Sequence, residues 1–134
     1  MNVFFYGLFM DVDTLAKKGI NPSNPRKGYL KDYTLKIGNK ASLIKCDNGR
    51  AYGIMMEMDN EEVIKLYSEK SVSNYKPEIV EIITDSNEHI MATCYILSAD
   101  LLTGTNQLYA KLLHELAKKL NFPNEYLDQI TKHY

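Results

Sequence analysis

The residue pattern of this chain points to an α+β fold: a mainly antiparallel β-barrel or strongly curved sheet with flanking helices. Three features carry that expectation. An apolar strand runs straight into a turn and a helix at "VFFYGLFMDVDTLAKKGI"; segments of period-two alternation follow between Tyr29 and Leu97; and a leucine-striped helix closes the chain. A length of 134 residues and 15.4 kDa is that of one domain, spanning residues 1–134, with room for a core that needs no metal or disulfide.

Val3 to Tyr6 is an apolar run ending at Gly7, as expected of a central strand covered on both faces. Asp11 is placed to cap a helix whose apolar face carries Val12, Leu15 and Ala16, and Gly19-Ile20 has the form of a Schellman stop. "NPSNPRKG" is the one concentrated breaker segment and reads as a loop, so the next strand is expected over Tyr29–Ile37, where Tyr33, Leu35 and Ile37 alternate with polar residues. Gly38-Asn39 reads as a turn, "ASLIKC" as a strand, "DNGR" as a second turn and "AYGIMMEM" as a further strand, giving an antiparallel meander. Gly53 inside the last of these marks a bulge or a close backbone approach.

"DNEEVIKLYS" predicts a helix with Asp59 and Glu62 as a capping box and with Val63, Ile64, Leu66 and Tyr67 as its stripe. "KPEIVEIIT" and "HIMATCYIL" predict two strands paired across the turn "DSNE". The last long helix places Leu108, Leu112, Leu113, Leu116 and Leu120 on one face and stops at Asn121 and Pro123; "NEYLDQITKHY" predicts a final short helix.

Composition narrows the functional classes. The formal charge is -1 and the basic residues are dispersed, which argues against a nucleic-acid partner. The apolar start is too short to span a bilayer and lacks a basic leader, so no membrane partner and a cytoplasmic setting are expected. Cys46 and Cys94 show no metal-ligand spacing and read as buried thiols; no phosphate-cradling glycine loop occurs; His89, His114 and His133 lack the company of a metal site. No metal and no cofactor are expected.

Two features carry possible chemistry. At "YGLFM", a strand ends and a helix begins, and the free N–H groups of such a junction can hold a carboxylate that Gly7 lets approach the main chain; the alternative is a tight turn whose Leu8, Phe9 and Met10 are simply core. At "KLYSEKSVSNYKPEIVEI", a helix ends near Ser68 and a loop carries Glu69, Ser71, Asn74 and Tyr75. The negative pole of that helix disfavours a charged carboxylate, and a desolvating pocket would make Glu69 a usable general base; the alternative is a solvated loop charge pairing with Lys65 or Lys70.

In this order the two features resemble the γ-glutamylcyclotransferase-like family, which includes the avirulence-induced-gene-like proteins. The matching stretches are "FYGLFMD", "GYLKDYTLKIG", "AYGIMMEM", "VIKLYSEKSVSNYKPEIVEI", "ATCYIL" and "NQLYAKLLHELAKKLNFPNEYLDQI", nearly the whole chain. The resemblance implies a small mixed barrel that releases 5-oxoproline and an amine or amino acid from a γ-glutamyl compound. It implies Tyr6, Gly7, Leu8, Phe9 and Met10 as the substrate-binding turn, Tyr75 as a pocket residue, and Glu69 as the acid/base that takes a proton from the substrate α-amine. Two positions depart from the family pattern. Leu8 stands where a small serine is usual, and counting from Leu66 the family acid falls on Lys70, Glu69 matching after a one-residue deletion. These departures keep open the alternative of an inactive module that holds a small carboxylate ligand in the same cavity.

Overall fold

Val3, Phe4 and Phe5 are all nearly inaccessible, as the apolar opening run requires, and the reason is that their strand has neighbours on both edges. In the computed structural model, which describes residues 1–134, this strand β1 (Asn2–Phe5) lies antiparallel to β3 (Ala41–Glu57) and parallel to β5 (His89–Ile96). With β2 (Ser23–Ile37) and β4 (Lys76–Thr84) the strands close into a barrel in the order β1-β3-β2-β4-β5. Four helices pack around it: α1 (Val12–Lys17), α2 (Asn60–Tyr67), α3 (Gln107–Lys119) and α4 (Asn124–Thr131). The barrel of mixed, mainly antiparallel strands with flanking helices is the architecture the sequence led us to expect. No helix is long and apolar enough to cross a membrane.

The predicted meander is corrected. "ASLIKC", "DNGR" and "AYGIMMEM" form one long strand, β3, paired with β2 along its length. Tyr33 pairs with Lys45 and Lys31 with Arg50, so residues 46–49 bulge opposite Asp32 alone. Asp32 and Asn48 both take left-handed backbone (φ 65° and 64°), and the Asn48 N–H donates to Asp32 Oδ1 at 3.0 Å. Asn-Gly serves a positive φ in a bulge as readily as in a hairpin turn, which is why "DNGR" reads as a reversal. The true reversal is at Gly38, whose N–H donates to Lys40 O at 2.9 Å.

The breaker segment is corrected as well. β2 begins at Ser23, and a register shift between Ser23 and Arg26, with Asn24 at φ 50°, accommodates Pro25. A proline inside a strand belongs at such a bulge because it has no N–H for the ladder. Gly53 makes the close approach anticipated for it: a side chain there would strike Phe5 O and the Phe4 ring.

Helix ends follow their local chemistry. The Asp11 carboxylate accepts from the Asp13 N–H and the Thr14 hydroxyl, both at 3.1 Å, and Ile20 N–H closes α1 onto Leu15 O at 3.0 Å. The capping box of α2 does not form, since Asp59 makes no side-chain cap bond and Glu62 accepts from the Asn21 N–H instead. On that helix Val63 and Leu66 are buried, whereas Ile64 is exposed. The face of α3 is also corrected: Ala110, Leu113 and Ala117 point inward, and Leu108 and Leu112 face solvent. Two alanines let α3 approach closely, and a rule that follows large residues rotates the helix the wrong way. Cys94 is fully buried, but Cys46 lies exposed on the β3 bulge, contrary to expectation.

Candidate functional site

The site grows from the end of β1. After Tyr6 the chain cannot continue along the barrel, and Leu8–Met10 coil into one 3-10 turn, with Met10 N–H donating to Gly7 O at 3.0 Å. Gly7 has φ −111°, a value open to any residue, so glycine is needed there for space and not for torsion. A Cβ on Gly7 would collide with the hydroxyl of Tyr109, which reaches in from α3 and accepts a hydrogen bond from the Leu8 N–H at 3.2 Å.

Beside this turn lies a cavity of about 410 Å³. Phe5, Tyr6, Gly7, Leu8 and Phe9 form its floor, while Tyr67, Tyr75, Tyr95 and Tyr109 form most of its sides. The aromatic sides brace one another. Tyr67 stacks on Tyr95 with ring centroids 3.7 Å apart and planes 10° apart, and Phe9 meets both Phe5 and Tyr67 edge-on. Such contacts fix ring positions. Tyr6 donates to Tyr95 O at 2.7 Å, and Tyr75 donates to Ala41 O, linking the loop before β4 to the start of β3.

Burial pushes the phenols up. Tyr6 and Tyr67 rise well above 10.0, Tyr75 rises with them, and Tyr109 is pushed up to about 12, with the Leu8 N–H pulling it partly back. At neutral pH these hydroxyls are therefore neutral hydrogen-bonding groups, and none serves as a phenolate base. The charged side chains in the cavity lining are two cations, Lys18 from the end of α1 and Lys40 from the β2–β3 loop.

Of the residues singled out in the sequence, Tyr6, Gly7, Leu8, Phe9 and Tyr75 all line this cavity. Met10 does not; it turns into the hydrophobic core. Glu69 stands just behind the lining, where both carboxylate oxygens accept from Lys18 Nζ at 2.8 Å, and about a third of its side chain is exposed (35%). Lys70 is exposed and off the cavity. The histidines lie elsewhere, His89 pairing with Glu81 and His114 resting edge-on against Tyr134. Tyr67, Tyr95, Tyr109, Lys18 and Lys40 went unrecognised in the sequence reading. The signal present was ten tyrosines in a chain without tryptophan, an excess of rings with a polar end.

A closed mixed barrel whose first strand delivers a glycine turn to an aromatic cavity defines a protein of the γ-glutamylcyclotransferase-like class. The pattern of the AIG2-like family matches residues 50–130, and the chain belongs to that family. Among solved structures it is similar to one described as a gamma-glutamyl cyclotransferase, with a TM-score of 0.80 and 17% identity over 100% of this chain and 88% of that one. It is similar to an uncharacterized protein from Homo sapiens at TM-score 0.76 and 19% identity, covering 99% of this chain and 87% of the other. A gamma-glutamyl cyclotransferase specific to glutathione from yeast matches at TM-score 0.70 and 11% identity, covering 99% and 96%. At these identities the likeness concerns the fold. No curated protein sequence matches this chain.

Proposed function

We propose that this protein is a γ-glutamylcyclotransferase-type enzyme that releases 5-oxoproline and an amine or amino acid from a small γ-glutamyl compound, with Glu69 as acid/base. The observation that carries this reading is that the Gly7 turn and Lys18, which holds Glu69 just behind it, line one cavity. In the proposed reaction the Glu69 carboxylate accepts a proton from the substrate α-ammonium. The freed amine attacks the γ-carbonyl carbon, closing a five-membered ring. The oxyanion that develops is held by main-chain N–H groups of the turn, Glu69 passes its proton to the departing nitrogen as the amide bond breaks, and the second proton shed by the ring nitrogen ends on the released amine, which leaves as its ammonium. Because nucleophile and electrophile sit in one molecule, holding the substrate folded removes much of the barrier by proximity. Lys18 positions the carboxylate through both of its oxygens. The free thiols Cys46 and Cys94 are consistent with a reducing, cytoplasmic setting.

The test is 5-oxoproline release from a panel of γ-glutamyl amino acids. Glu69→Gln is expected to reduce the rate by about 10²–10⁴-fold, the usual contribution of a positioned general base, with unchanged thermal unfolding. A rate equal to the parent's rejects Glu69. A second reading is favoured by one observation: Lys18 engages both oxygens of Glu69, leaving the acid behind the lining rather than in it. On that reading the cavity binds a small carboxylate without turning it over. Thermal stabilisation by γ-glutamyl compounds with no 5-oxoproline would establish it.

A further inference from the structure

The two cations of the cavity are not equivalent. Lys18 is neutralised by Glu69, whereas Lys40 forms no ion pair; its one hydrogen bond runs from Nζ to the main-chain oxygen of Ser71, at 2.6 Å. An ammonium carries three donors, so two remain for another partner. No aspartate or glutamate lines the cavity, so the half-buried Lys40 is a cation facing it without an anionic partner.

Its position says which part of a ligand that anion belongs to. The floor is made by the turn after β1, where the reacting glutamyl end would lie. Lys40 comes from the β2–β3 loop, beside exposed Asn39 and bonded to exposed Ser71, so it lines the cavity at its solvent-facing rim. With the glutamyl end at the Gly7 turn, the leaving portion is the part of the ligand left to extend toward solvent, where this rim lies.

We infer that Lys40 is a specificity-determining residue that binds a carboxylate on the leaving portion of the ligand, selecting γ-glutamyl amino acids and peptides over γ-glutamyl amines. The inference rests on the reading of the cavity as a γ-glutamyl site, and its test separates the two. γ-Glutamylalanine and γ-glutamylethylamide differ only by that carboxylate. By titration calorimetry the parent protein is expected to bind the first about tenfold more tightly, in line with one charge-assisted hydrogen bond. Lys40→Gln is expected to abolish that preference by weakening the alanine compound alone, and Lys40→Arg to retain part of it.

Equal affinities in the parent protein, or a preference that survives Lys40→Gln, overturn the assignment. So does equal weakening of both ligands, which would put the lysine on the glutamyl end or in a merely structural role. A Lys40-dependent preference without 5-oxoproline release upholds the assignment and rejects the enzymatic reading. Failure of both ligands to bind overturns both.

Discussion

Gly7 and Tyr109 fit each other as lock and bolt at the scale of single residues. A methyl group on Gly7 meets a hydroxyl at the end of a rigid ring, so Gly7→Ala is expected to cost about 1–3 kcal/mol in urea denaturation, the usual penalty for forcing extra volume into a packed site. Tyr109→Phe removes the colliding oxygen, and the double variant is expected to recover part of that loss; strictly additive effects would show that the two residues do not meet. The sequence disclosed half of this pair. A glycine between a strand and a helix announces a close approach by itself, but the group that approaches comes from 102 residues further along the chain, and no local pattern marks it. Tyr75, singled out through the family resemblance, lines the cavity, and Glu69, singled out by its place after a helix, stands behind it on Lys18, whereas Lys18 and Lys40 look in sequence like ordinary helix-end and loop charges.

Among elements, α3 shows how size can mislead. Leu108 is 69% exposed, and its replacement by glutamine is expected to shift stability by no more than about 0.5 kcal/mol, as for other surface changes. Ala117, fully buried four residues before Asn121, is expected to cost about 1–3 kcal/mol when replaced by leucine. The opposite ranking in thermal unfolding would restore the leucine stripe as the inner face. Local rules succeeded where the deciding partners are local: the Asp11 cap, the Gly19-Ile20 stop and the β4–β5 hairpin all depend on residues within a few positions. They failed at β3. Whether "DNGR" turns the chain or merely bulges it depends on which strand lies opposite, and that strand is β2, including the stretch around Pro25 that resembles a loop.

For the whole molecule, the many buried acids of high pKa set the alkaline limit of stability. Cys94, with an ordinary value of 9.0, and Tyr6, Tyr67, Tyr75, Tyr109 and Tyr126, with ordinary values of 10.0, are all raised by burial in the fold. Below pH 9 both folded and unfolded chains keep these protons. Above it the unfolded chain releases them while the folded one holds on, so the stabilisation falls away from about pH 9 upward, through the value near 12 at Tyr109. Urea midpoints measured from pH 7 to 11 should decline on the alkaline side, with Cys94→Ala delaying the onset; a level profile would mean that these groups are solvated in the native protein. Closure of the barrel has a temporal consequence too. β1 is synthesised first, yet the strands beside it are β3 and β5, and the last of its register partners is Cys94. As the chain is synthesised, β1 therefore finds its first edge only when β3 is complete at Glu57, and its other edge stays open until β5 reaches Cys94. The glycine turn receives its bolt later still, when α3 is made, so the cavity takes its final form only after both edges of β1 are paired.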